Sequence, residues 1–208
     1  LEEMPESEQL ALIANLDMDR LIDVLEEMQF DDLADLLAEM PAQQRSRVLE
    51  AMDDDDADVV RSLLSYAPGT AGALMTPEII VMGSNATVAE ALAQVRNPDW
   101  LVSIAAQVFV TQPPFKAPTG TYLGVVHLQR LLREPPSTEL GRCVSKEPTV
   151  TANQSDREVA EFLASYNLLA VGVCDDAGHL LGAITVDDVL DRMLPADWRQ
   201  RRRQAATS

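Results

Sequence analysis

Three carboxylates stand together near the end of the chain, at Asp187, Asp188 and Asp191, directly after Thr185. Asp188 and Asp191 are three residues apart and would share one face of a helix. Their oxygens suit a hard cation. The same residues also read more simply: Thr185-Val186-Asp187-Asp188 has the spacing of a capping box, with Asp in place of the usual Glu. The two readings are compatible, because a carboxylate has two oxygens. Little else in the chain offers chemistry. The two histidines, His127 and His179, have no convincing catalytic partner, and Cys143 and Cys174 form no CxxC pair and read as buried thiols. No nucleophile–base pair, P-loop or dinucleotide fingerprint is present, so no enzymatic activity is expected.

The elements that would position the acids are legible around them. Ala170–Cys174 is apolar and partly β-branched, and reads as a strand. Asp175-Asp176-Ala177-Gly178 reads as a tight turn, and Leu180–Ile184 as the returning strand. Val186, Val189, Leu190 and Met193 then recur at helical spacing. Leu180 to Met193 is thus a strand delivering its helix, with the acids at the junction.

What those acids would meet is suggested by the distribution of charge. The 208 residues carry a net charge of -18. Residues 1–66 hold 19 acidic and 4 basic side chains, whereas residues 67–208 hold 15 and 12. Such an excess repels nucleic acid and favours cations or basic partners. The acidic half has an internal period of twelve. Leu12, Val24, Leu36, Val48 and Val60 form one series, Ile13, Leu25, Leu37 and Leu49 a second, and Leu16, Met28, Met40, Met52 and Leu64 a third. Within a unit these positions follow i, i+1, i+4, one face of a short helix. Helices of two or three turns are not stable alone, so the units must stack into a superhelical all-α domain. Asp31, Asp32 and Asp53–Asp56 suit helix N-termini, and Pro41 suits a first helical turn.

A Pro/Gly-rich hinge at 66–72 reads as the domain boundary. Beyond it a second repeat appears. Residues 77–92 and 148–163 match at a spacing of 71, through Val88-Ala89-Glu90 and Val159-Ala160-Glu161. Gly124-Val125-Val126 and Gly182-Ala183-Ile184 match at 58. The first copy would therefore hold 13 extra residues, part of them in a proline-rich loop at 112–120 that reads as exposed. Each copy reads as strand, helix, strand, strand, helix.

Two such copies resemble a tandem pair of CBS domains. With GALMTPE at 72–78, FDDLADLL at 30–37 and GAITVDDVLD at 182–191 in this order behind an acidic helical array, nearly the whole chain resembles the cytosolic region of MgtE-type magnesium channels. The expected class is α+β multidomain: an all-α superhelical N domain over residues 1–66, CBS domains at 67–133 and 134–194, and a connecting segment with a basic tail at 195–208. The resemblance implies a homodimer attached to a transmembrane pore domain of the same chain, on the cytoplasmic face of the cell membrane. It implies that Mg2+ bridges Asp31 of the N domain and Asp188 and Asp191 of the second CBS domain, with Asp35 one turn after Asp31 and Asn167 in a position that can carry Asp. High Mg2+ would favour the compact, pore-closed state. CBS pairs also use a T-x-x-D pattern to hold a nucleotide ribose. Thr185 and Asp188 fit it, whereas the first copy has His127 and Arg130 and departs from it, and Leu168 replaces an aromatic that could stack on adenine. At most one cleft therefore suits ATP or AMP, and the alternative reading is an adenine-nucleotide-sensing CBS module regulating another effector. No run of about 18 apolar residues is present, and the start at Leu1 points to a piece of a longer protein.

Overall fold

The computed structural model describes residues 12–13 and 16–194. The expected connecting segment and basic tail at 195–208 lie outside the described residues. Among those described, no helix is long and apolar enough to cross a membrane.

The acidic half is a stack of short helices: α1 (Met18–Leu25), α2 (Phe30–Glu39), α3 (Ala42–Ala51) and α4 (Asp54–Leu64). Their first residues fall at 18, 30, 42 and 54, which is the period of twelve. The repeating apolar positions are what the stack buries: Leu25, Leu36, Leu37, Val48, Val60, Met28, Met40 and Met52 all lie in one core. A fully buried Leu or Val contributes roughly 1.5–3 kcal/mol. The shared seam therefore supplies what short helices lack. Leu12, by contrast, is exposed. Arginines fasten successive units at their carbonyl ends. Arg45 donates to the carbonyls of Leu37 and Ala38, and Arg61 to that of Leu49. The corners are capped unevenly. Asp17 and Asp53 accept from the backbone N–H groups of Arg20 and Asp55, whereas Gln29 and Pro41 make no side-chain cap. Asp31 and Asp32 are therefore not caps; they lie in the first turn of α2.

After a one-turn helix α5 (Ala71–Leu74), two three-stranded sheets follow. The first runs β1 (Val81–Gly83), α6 (Val88–Val95), α7 (Val102–Ala105), β2 (Gln107–Thr111), β3 (Tyr122–His127) and α8 (Leu128–Leu131). The second runs β4 (Val150–Thr151), α9 (Asp156–Tyr166), β5 (Ala170–Cys174), β6 (Leu180–Thr185) and α10 (Val186–Met193). In each, the first strand is parallel to the middle one and the third is antiparallel to it. Gly178 closes the β5–β6 turn with φ +80.

The register corrects the spacing of the repeat. Met82 lies opposite Val110 and Val150 opposite Val173, and the capping boxes open at Thr87 and Ser155. Both comparisons give 68 rather than 71. The error has a physical source: α9 has 11 residues and α6 has 8, so the two Val-Ala-Glu triplets sit one turn apart on their helices. The first copy's excess is ten residues, not thirteen. Half precedes β2, and half lies in the 112–121 connection, whose counterpart is 175–179.

The copies exchange their leading segments. Thr76, ahead of β1, pairs with Ala183 of β6, and Ser145, ahead of β4, pairs with Val125 of β3, each through two backbone hydrogen bonds. The glycines at matching places make room for this. A Cβ on Gly124 would collide with the carbonyl of Ser145, and one on Gly182 with that of Thr76. Gly124 also has φ +138, a region that favours glycine.

Candidate functional site

Asp31 is held at the second residue of α2, and Asp188 in the first turn of α10. Helix α10 starts as the sequence indicated. Thr185 is fully buried, its hydroxyl donates to Asp188 Oδ2 at 2.7 Å, the same oxygen accepts the Thr185 N–H at 3.1 Å, and the Asp188 N–H donates to Thr185 Oγ1. This reciprocal pairing fixes the Asp188 rotamer and leaves its other oxygen uncommitted to the cap.

The carboxylate of Asp31 faces a different situation. Its Oδ1 is buried and has no hydrogen-bond partner. Burial first, then the charges of Asp188, Asp32 and Glu78, push the Asp31 carboxyl well above the ordinary carboxylate range. Burial also raises Asp188, against the lowering hydrogen bonds of Thr185. The two carboxyls are close enough to interact and titrate as a pair. Two acids from different domains thus share a partly dry site, a costly arrangement without a counter-charge.

Glu78 belongs to the same group, and sequence reasoning missed it. Its Oε2 accepts the N–H of Phe30 at 3.3 Å, acting as the N-terminal cap that Gln29 does not provide. The last residue of GALMTPE thereby orients the first turn of α2, where Asp31 sits. Glu78→Gln keeps the acceptor and is expected to leave the thermal stability in EDTA within about 0.5 kcal/mol of the parent. Glu78→Ala loses the cap and is expected to cost about 1 kcal/mol. Equal melting temperatures for the two variants would show that the cap is idle.

The other expected ligands lie as follows. Asp191 is exposed on α10 and adds to the charge that raises Asp188. Asp35 meets Arg192, whose Nη2 is 3.4 Å from its Oδ2. Asn167 is exposed and ends α9 in a left-handed conformation, φ 52 and ψ 43, which Asn tolerates better than most residues. Among the described residues no three His, Cys, Asp or Glu side chains converge into a ready-made metal site. A Mg2+ ion keeps several waters and takes one or two carboxylates directly, so the Asp31–Asp188 pair is compatible with it.

The first CBS copy supplies an internal comparison. Glu147 occupies the place that Glu78 has in the second sheet, and His127 and Arg130 stand where Thr185 and Asp188 do. There the acids have basic side chains for partners: Glu147 Oε1 lies 2.6 Å from His127 Nε2, and Arg130 pairs with Glu134 at 2.7 Å. In the second copy the corresponding carboxylate, Glu78, accepts the Phe30 N–H and adds its charge to those around Asp31.

A superhelical acidic array joined to an exchanged pair of βαββα units defines a tandem CBS module with a helical N-terminal domain. Residues 1–69 match the model of the MgtE intracellular N domain, and residues 140–195 match that of the CBS domain. The chain is 30% identical over 165 residues to a magnesium transporter MgtE of Thermus thermophilus, covering 77% of this chain and 36% of that protein. It is 30% identical over 138 residues to the MgtE of Enterococcus faecalis, covering 66% of this chain and 29% of that one. It therefore spans about a third of the curated relatives it matches. Among solved structures, the cytosolic domain of the Mg2+ channel MgtE in complex with ATP superposes with a TM-score of 0.81 at 31% identity, over 92% of this chain and 77% of that one. The soluble part of a magnesium transporter gives 0.79 at 30% identity, over 87% and 69%. The chain belongs to the MgtE family and corresponds to its cytosolic N-domain and CBS region.

Proposed function

We propose that this chain is the Mg2+-sensing regulatory region of a magnesium channel or transporter. Mg2+ bridges Asp31 of the acidic array and Asp188 of the second CBS copy, with Glu78 and Asp191 adding negative charge around it. The observation that carries this reading is the buried, unpartnered Oδ1 of Asp31, repelled by Asp188. Ion binding converts that repulsion into attraction and favours the compact state, which in the full-length protein is the pore-closed one. Loss of the ion lets the array swing away. The full protein is a homodimer whose transmembrane pore lies in the same chain, with this region on the cytoplasmic side. Exposed Leu190 and Met193 on α10 and exposed Leu132 at its counterpart after α8 supply apolar surface for the second copy.

The test is small-angle scattering of the 208-residue chain across a millimolar MgCl2 titration, against KCl at matched ionic strength. The radius of gyration is expected to fall with MgCl2 alone. Asp188→Asn, which keeps an acceptor for the Thr185 N–H, is expected to abolish that fall. Compaction of the variant at parental Mg2+ would overturn the bridge.

A second reading is adenine-nucleotide sensing in the same CBS copy. It is supported by the ATP complex of the similar MgtE cytosolic domain and by the T-x-x-D pair Thr185 and Asp188. Those two groups are bonded to each other, so a ribose would have to replace that contact. Calorimetry with ATP separates the readings, since Asp31→Asn weakens Mg2+ binding and leaves nucleotide binding unchanged.

A further inference from the structure

The acidic array receives cations from the CBS module at two separate places. Arg192 of α10 reaches Asp35 on α2 at 3.4 Å, and Lys116 of the proline-rich 112–121 connection reaches Asp55 at the start of α4 at 3.7 Å. Both pairs run in the same sense, an array Asp to a CBS-module cation. They join residues far apart in the chain. The five extra residues of the first copy's 112–121 connection form the longer loop that carries Lys116, and its far end is tied down. Thr119 N–H donates to the Leu180 carbonyl, and Leu180 N–H to Thr119 Oγ1. The loop is thereby held across the second copy's hairpin while its tip extends to the array.

We propose that Arg192 and Lys116 are tethered counter-cations that bias the array toward the CBS module at every Mg2+ concentration without themselves closing it, and that Arg192 removes Asp35 from the ligands available to a bound ion. The proposal rests on the Mg2+-bridge reading for its second half only. Fixed guanidinium and ammonium groups act at every Mg2+ concentration. They stabilise the compact apo state, lower the Mg2+ concentration needed to complete closure, and confine ion-dependent repulsion to Asp31, Asp188 and their neighbours. Exposed pairs of this kind are weak individually and screened by salt, so their effect appears as a shift of a balanced equilibrium rather than as a change of fold.

The test uses Arg192→Gln/Lys116→Gln in the 208-residue chain. In EDTA at low salt its radius of gyration is expected to exceed that of the parent, and its Mg2+ midpoint to rise about fivefold with a steeper transition, because Asp35 is released to the ion. The charge exchange Asp35→Arg/Arg192→Asp is expected to restore the parental values, whereas Arg192→Asp alone gives the largest expansion. Identical radii in EDTA for parent and double variant, or an exchange variant no more compact than Arg192→Asp, would overturn the tethered cations. A parent that ignores Mg2+ while the double variant still expands in EDTA would overturn the ion bridge alone.

Discussion

Asp31→Asn is expected to raise the melting temperature of the chain in EDTA by several degrees and to remove the stabilisation that Mg2+ gives the parent. The side chain sits at an interface between domains, with one oxygen dry and unpaired and the charge of Asp188 beside it. Replacing it by an isosteric amide removes both the repulsion and the desolvation of a charge, worth about 1–3 kcal/mol for a buried unsatisfied group. For a chain of this length each kcal/mol moves Tm by roughly 2–4 °C. The pH dependence has a definite sign. The Asp31 and Asp188 carboxyls are raised in the folded state, so their contribution to stability is fully present below the ordinary unfolded value near 4. It is lost as pH rises through the raised folded values. In EDTA the parent is therefore expected to gain stability as pH falls from neutral toward that range, and Asp31→Asn to lose most of the gain. Glu90, Glu158 and Asp175 are lowered by hydrogen bonds and act in the opposite sense at more acid pH. In excess Mg2+ the parental slope reverses, because protons displace the ion. Thermal unfolding at several pH values with and without Mg2+ checks all of this, and a parental slope in EDTA with the other sign would sink it.

Gly124→Ala is expected to be the most damaging small substitution in the CBS module. The new methyl would meet the Ser145 carbonyl, where the segment ahead of β4 pairs with β3 of the first sheet. The residue would also be forced to a positive φ of 138. Overpacking costs about 1–3 kcal/mol and a strained backbone a similar amount, so a total near 3–5 kcal/mol is anticipated in chemical unfolding. Gly178→Ala is the control. It shares the positive φ, but its Cβ would meet nothing within 4 Å, so only the backbone part is expected. Equal effects at the two positions would show that the crossing tolerates separation.

Local signals carried the sequence reading a long way. The period of twelve reappears as helix starts at 18, 30, 42 and 54 because one face must be buried in each unit, and burial leaves a compositional trace. Thr185 and Asp188 form the capping box their spacing indicated. Glu78 was not legible, because its partner Phe30 is 48 residues away and an acid after Pro carries no local sign of capping a distant helix. Arg192 and Asp35 are 157 residues apart, and an Arg one residue before the end of an amphipathic helix looks like any solvated charge. The repeat spacing failed for a different reason: a whole helical turn preserves the pattern of faces, so a three-residue slip left the match looking sound.

The stretch at 66–72 was read as a hinge, yet most of it is anchored. Ala71 and Gly72 donate to the carbonyls of Gln154 and Ala152, and Thr76 pairs with β6. The Gly69 carbonyl accepts the Asp156 N–H and Thr70 bridges to Ser155 as well, so of this stretch only residues 66–68 lie outside these ties. The acidic array is joined to the second CBS copy by that short segment and also shares one hydrophobic core with it, Val48 and Val60 clustering with Val159 and Ile184. Under the proposed function, any displacement of the array would therefore strain the second copy before the first.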